Sequence, residues 1–172
     1  ISLTGDTEGI PTFAEVLALV DGQVPLLVEL KDQDGMMGPN VGPLELATAK
    51  AIAHYHGPIG VMSFNPHSVA AMAKHAPNVP RGLVTGGYTA TDWPLLNAAT
   101  RDTLRDIPDF DRVSACFISH QADDLDRDRI HDLKQKGVPI LCWTVRSQAQ
   151  ENDVRKIADN ITFEGYLAEI SA

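Results

Sequence analysis

Short apolar runs alternate with stretches of helical period along most of the chain. The apolar runs at residues 25–31, 59–64, 81–84, 113–119, 139–145 and 160–163 have strand length. Strands separated by helices are the signature of βα units on a parallel sheet. The pattern therefore predicts an α/β fold with six visible parallel strands.

The helical segments carry their own start signals. Thr12 with Glu15 three residues on forms a capping box, and Phe13, Val16, Leu17 and Val20 then repeat on one face, so a helix precedes the first strand. Asn65 followed by Pro66 supplies a cap and a first-turn proline ahead of Val69, Met72, Ala73 and Ala76. Ser147 and Gln150 repeat the capping-box spacing before Val154, Ile157 and Ala158, and residues 125–136 read as a helix stopped at Gly137. Residues 43–55 form another predicted helix with Leu44, Ala47, Ala51 and Tyr55 inward. Between residues 85 and 109, Gly86-Gly87, Trp93-Pro94 and Pro108 impose a long irregular excursion with one short helix around 98–105. Long loops of this kind after a strand are more often functional than decorative.

Polar residues interrupt the apolar runs chiefly at strand ends, where α/β proteins place their chemistry. Glu29 and Lys31 close the first strand two residues apart and so share one face. Such a pair is either a surface ion pair or a carboxylate for a hard cation beside an ammonium for a phosphate. Ser63 and Phe64 end the second strand, and Asn65 and Pro66 are explained by the helix start. Trp143 ends the fifth strand as core or as an apolar wall for a small ligand. Of the six histidines only His120 falls at a strand end. Asp124, Asp126 and Asp128 fail as a calcium loop, because Arg129 and Gln135 stand where Gly and Glu are required, and they read instead as acidic residues at a helix start.

Composition narrows the classes. With 172 residues and ordinary apolar and charged fractions the chain reads as one domain over 1–172, and a net charge of −9 disfavours nucleic-acid or anionic-membrane binding. No apolar stretch is long enough to span a bilayer. Cys116 and Cys142 each lie in an apolar run and read as buried free thiols. P-loop, GxGxxG and GxSxG patterns are absent from the sequence.

Five motifs in order, Ile10-Pro11-Thr12, Leu27-Val28-Glu29-Leu30-Lys31, Met62-Ser63-Phe64-Asn65-Pro66, Cys142-Trp143-Thr144-Val145 and Ile161-Thr162-Phe163-Glu164, resemble the glycerophosphodiester phosphodiesterase family, most of all its bacterial cytoplasmic branch. That resemblance implies a TIM (β/α)8 barrel and metal-dependent cleavage of glycerophosphodiesters to sn-glycerol 3-phosphate and an alcohol, within lipid and glycerol metabolism in the cytoplasm. It makes Glu29 a ligand of a divalent cation, Mg²⁺ or Ca²⁺, and Lys31 a phosphate contact. Trp143, Phe64 and Ser63 would border the substrate. Glu164 stands where many members carry an Asp, which leaves its role open.

The chain also departs from the family pattern. Members open on a His-Arg-Gly strand, followed by Glu-Asn-Thr and His-Asp segments that supply the acid/base histidines, and none of these precedes Glu29 here. A (β/α)8 barrel takes about 250 residues, so six βα units leave it two strands short. The expectation is therefore the carboxyl-terminal three quarters of a longer barrel, with the match beginning roughly 60 to 80 residues before Ile1 and no catalytic residue among the 172. A chain of this kind is expected to be inactive alone, and its open edges to be met by self-association, by an unusual packing or by an N-terminal piece of the protein. The alternative is a non-catalytic barrel that binds phosphorylated metabolites or a protein partner.

Overall fold

Six short strands hydrogen-bond side by side in sequence order, all parallel, in the computed structural model, which describes Gly5 and residues 9–168. Of the domain expected over 1–172, residues 1–4, 6–8 and 169–172 lie outside the described residues. The order is α1 (Phe13–Val20), β1 (Leu26–Glu29), α2 (Pro43–Ile52), β2 (Ile59–Ser63), α3 (Pro66–His75), β3 (Arg81–Thr85) and α4 (Ala98–Arg105). It continues with β4 (Phe117–Gln121), a 3₁₀ turn (Ala122–Asp124), α5 (Asp128–Gln135), β5 (Ile140–Val145), α6 (Gln148–Val154) and β6 (Asn160–Phe163). Among the described residues β1 pairs only with β2 and β6 only with β5. The result is an open half-barrel, part of the TIM barrel expected from the sequence.

Register assigns the two faces. Leu26, Val28 and Leu30 pack with Leu17, Ile52 and Met72 beneath the helices, so Leu27, Glu29 and Lys31 take the opposite, concave face. Parallel pairing of Glu29 with Met62, Met62 with Gly82, Gly82 with Phe117 and Gln121 with Trp143 carries that face across the sheet. The Phe117 ring fills the concave floor over β3. A Cβ built on Gly82 would stand 2.2 Å from Phe117 Cε2, so the glycine is required by that close approach. On the other face Leu83, Ile118, Ile140, Cys142 and Val154 form the main core with Ile130 and Leu133 of α5.

Several local expectations need correction. The fourth strand begins at Phe117 rather than Val113, because residues 110–115 wind into turns that end on Ser114 at φ +52°, outside the extended region. Cys116 is consequently exposed just before the strand, while Cys142 is buried as expected. In α2, Leu44, Ala47 and Ala51 point outward, and the buried face is Glu45, Thr48, Ala49 and Ile52. Glu45 fixes that rotation: its carboxylate accepts the Gly42 N–H at 2.6 Å and the Ser68 hydroxyl of α3 at 2.5 Å. The caps at Thr12, Asn65 and Ser147 form as read, each side chain accepting a first-turn N–H. The fifth helix starts at Asp128, three residues later than read, since the 3₁₀ turn takes Ala122–Asp124.

Candidate active site

The carboxyl end of β1 presents Glu29 and Lys31 together on the concave face, with Lys31 Nζ 2.8 Å from Glu29 Oε1. Lys31 is 74% exposed and Glu29 23%. Exposed pairs of this kind contribute about 1 kcal/mol or less, so the ammonium can leave its carboxylate for an anion at little cost.

The next strand end divides its two candidates. Phe64 continues the concave face beyond Met62, beside Lys31 by register. Ser63 turns to the helix side and is 1% exposed. Its hydroxyl donates to Leu30 O at 2.7 Å and accepts the Asn65 N–H at 3.1 Å, tying the ends of β1 and β2 together. Ser63 is expected from the sequence to line the site; parity along the strand points its side chain away from the concave face and into the junction of β1 and β2. Asn65, fully buried, extends the lock: its amide donates to Asp32 Oδ1 at 2.7 Å and Gly38 O at 2.8 Å while Oδ1 accepts the His67 N–H at 2.9 Å. Asp32 also accepts the Met37 N–H at 3.0 Å, which seats the loop that follows Lys31. Sequence reasoning missed Asp32, although an acidic residue directly after a charged strand end was a usable signal.

Aromatic rings bridge the concave face above β3 and β4. Phe64 meets Trp143 edge-on with centroids 5.4 Å apart and Trp93 at 4.9 Å, and Trp93 meets Tyr88 at 5.2 Å. The Trp143 indole donates to Ser119 O at 3.0 Å, which leans the ring across the neighbouring strand. Trp93 and Tyr88 come from the long loop after β3. In the sequence Trp93 registered only as a break before Pro94.

His120 is not at the site. It pairs in register with Thr85 on the helix-facing side, is fully buried, and has Nδ1 2.7 Å from the Thr85 hydroxyl and Nε2 3.1 Å and 3.2 Å from the Asp124 carbonyl and carboxylate. These partners assign the proton to Nε2, with Nδ1 accepting from Thr85. Burial pushes its pKa below the ordinary value, against the opposing pull of Asp124. Asp124 is therefore a partner of His120 and of Arg127, 3.1 Å away, rather than an acidic residue of a helix start. Asp128 does occupy the first turn of α5, and Asp126 accepts from His131 at 2.9 Å.

The chain matches the glycerophosphoryl diester phosphodiesterase family over residues 2–162. It belongs to that family. Among solved structures, an Oleispira antarctica phosphodiesterase in complex with the product sn-glycerol-3-phosphate is similar at TM-score 0.67 and 15% identity, covering 89% of this chain and 57% of that one. A Parabacteroides distasonis glycerophosphodiester phosphodiesterase is similar at TM-score 0.63 and 16% identity, covering 89% and 59%. At these identities the likeness is one of fold, and the chain spans less than three fifths of either relative's length. Comparison with curated proteins gave no significant match.

Members of the glycerophosphoryl diester phosphodiesterase family are typically metal-dependent. A hard divalent cation takes six or more oxygen ligands, and among the described residues no three His, Cys, Asp or Glu side chains converge into a group able to hold one. Glu29 supplies a single carboxylate, so the described residues do not complete a cation site. Glu164 does not join it. It lies 2.7 Å from Arg146 Nη2 just past β6, at the edge of the sheet opposite the one that carries Glu29. Among the described residues no helix is long and apolar enough to cross a membrane.

Proposed function

We propose that this chain forms the phosphate-binding and glycerol-binding wall of a glycerophosphodiester phosphodiesterase. The observation that carries the reading is the meeting, at the carboxyl ends of parallel strands, of an exposed Glu29–Lys31 pair with the Phe64–Trp143 wall beside it. The reaction is hydrolysis of a glycerophosphodiester by water to sn-glycerol 3-phosphate and an alcohol. Lys31 holds a phosphoryl oxygen and stabilises the charge that grows there in the transition state. Phe64 and Trp143 cover the apolar carbons of the glyceryl group. Glu29 offers one carboxylate toward Mg²⁺ or Ca²⁺, whose other ligands are not among the described residues. Glu164 stays with Arg146 and takes no part.

Binding without turnover is favoured for this chain by one observation: His120, at a strand end, faces the helix layer and not the concave face. Among the described residues the outer edges of β1 and β6 have no strand partner, which offers a route to self-association. The test is calorimetric titration of the chain with sn-glycerol 3-phosphate in Mg²⁺ or Ca²⁺, alongside an assay for sn-glycerol 3-phosphate released from glycerophosphocholine with and without chelator. Saturable binding supports the reading. Absence of binding to both sn-glycerol 3-phosphate and inorganic phosphate overturns it, and chelator-sensitive turnover overturns the inactivity of the chain.

A further inference from the structure

The loop of residues 86–97, between β3 and α4, carries Tyr88 and Trp93 to Phe64, and its backbone is gripped at its first turn. Gly86 is hemmed in by β4, since a Cβ there would stand 2.7 Å from Gln121 Oε1, and the same oxygen accepts the Gly87 N–H at 3.1 Å. Tyr88 follows in the left-handed region at φ +46°, a conformation unfavourable to a bulky residue unless its surroundings hold it. They do so from two sides. Its hydroxyl donates to Val84 O at 3.2 Å, and Arg105, in the last turn of α4, donates from Nε to Gly87 O at 2.8 Å and from Nη2 to Tyr88 O at 3.4 Å.

Arg105 is anchored in turn. Its Nη1 lies 2.8 Å from Asp102, and its carbonyl accepts Arg127 Nη1 at 3.3 Å, while Arg127 also reaches Asp124, the partner of His120. Downstream of Tyr88 the Trp93 N–H donates to Thr89 O at 3.0 Å, closing the turn that brings its ring onto Tyr88 and Phe64.

We propose that Arg105 is a positioning residue for the aromatic wall: by clamping the Gly87 and Tyr88 carbonyls it sets Trp93 against Phe64, and the loop of residues 86–97 thereby decides how tightly the glyceryl part of a ligand is held. This rests on the function proposed above. The hydrogen bonds of Arg105 to the loop go to its main chain, so its effect on ligand travels through Tyr88 and Trp93. A guanidinium suits the task because its planar fork serves two adjacent carbonyls at once, which a lysine ammonium does less well.

The test compares the unsubstituted chain with Arg105→Ala, Arg105→Lys and Trp93→Ala, by near-ultraviolet circular dichroism and by titration with sn-glycerol 3-phosphate and, separately, inorganic phosphate, in the same divalent cation. Arg105→Ala is expected to change the aromatic dichroism and weaken sn-glycerol 3-phosphate about tenfold, with inorganic phosphate held within about twofold. Arg105→Lys should recover part of both signals. A role in general stability would weaken the two ligands alike, and that result, or an unchanged dichroism, overturns the inference. Should Arg105→Ala fail to fold, Trp93→Ala decides: it must show the same selective loss, and an unchanged ratio of affinities overturns the inference. If the unsubstituted chain binds neither ligand, the site reading and this inference fall together. If it binds both and the variants keep the ratio, only this inference falls.

Discussion

Lys31 Nζ lies 2.8 Å from Glu29 Oε1, yet the lysine remains three quarters exposed, so the pair holds two charges at a strand end without locking either. Stability and binding should therefore separate. Lys31→Met is expected to change unfolding free energy by less than about 1 kcal/mol. It should also weaken inorganic phosphate at least about tenfold, since the ammonium is the charge offered to it. Urea unfolding and calorimetric titration of the same variant check both halves, and unchanged phosphate affinity would remove Lys31 from the site.

Ser63 and Asn65 should behave in the opposite way. Both are buried and fully engaged in joining the ends of β1 and β2. Asn65→Ala removes a helix cap and leaves the half-buried Asp32 and Gly38 partners of its amide without their donor, for a loss of about 1–3 kcal/mol. Ser63→Ala leaves Leu30 O without its donor and should cost about 1–2 kcal/mol. In Ser63→Ala, at a temperature where the variant is folded, affinity for sn-glycerol 3-phosphate should stay within about twofold, because the hydroxyl points away from the concave face. Denaturant curves with a parallel titration distinguish this from direct ligand contact.

The concave floor gives a packing prediction. Gly82→Ala would drive a methyl into the Phe117 ring at 2.2–2.6 Å, and overpacking of this kind costs about 1–3 kcal/mol. Shortening the ring in Gly82→Ala/Phe117→Leu should recover part of the loss. Melting curves for the two single variants and the double variant measure the coupling, and strict additivity would show that the two residues do not meet.

Strands and caps were legible because they depend on local order. The residues 160–163 read as a strand form β6, and the Thr12, Asn65 and Ser147 caps form where their spacing placed them. The shared face of Glu29 and Lys31 was legible for the same reason, since i and i+2 on a strand share a face whatever the rest of the chain does. The face of Ser63 could have been read from parity with Glu29 only once the register of β1 against β2 was known. Leu44 and Ala47 misled because apolar spacing in α2 was outweighed by the tertiary bond from Glu45 to Ser68. Trp93 and Arg105 were invisible for a different cause: their contacts pass through loop backbone, and nothing in sequence spacing reports where the carbonyls of Gly87 and Tyr88 point.

His120 supplies the last prediction, through pH. Its imidazole is fully buried with Thr85 and Asp124, and burial lowers its folded-state pKa below the ordinary 6.5. The folded state then binds fewer protons than the unfolded state across the interval between the two values, so stability rises with pH there. The contribution is fully present above about pH 6.5 and is lost as pH falls through the lower, folded value. Glu15, Asp34, Glu151 and Asp159 also have lowered pKa values, each through hydrogen bonds to its carboxylate, but their losses begin only as pH falls into the ordinary carboxylate range, a more acidic interval than that of the imidazole. Urea unfolding of the unsubstituted chain should therefore show a decline on going from pH 7 to about pH 5.5 that His120→Gln does not share. The glutamine variant will be less stable at pH 7, because its amide cannot reproduce both ring contacts, so the quantity to compare is the slope with pH and not the absolute stability. Equal slopes in the two proteins would mean that His120 titrates alike in the folded and unfolded states and would overturn the prediction.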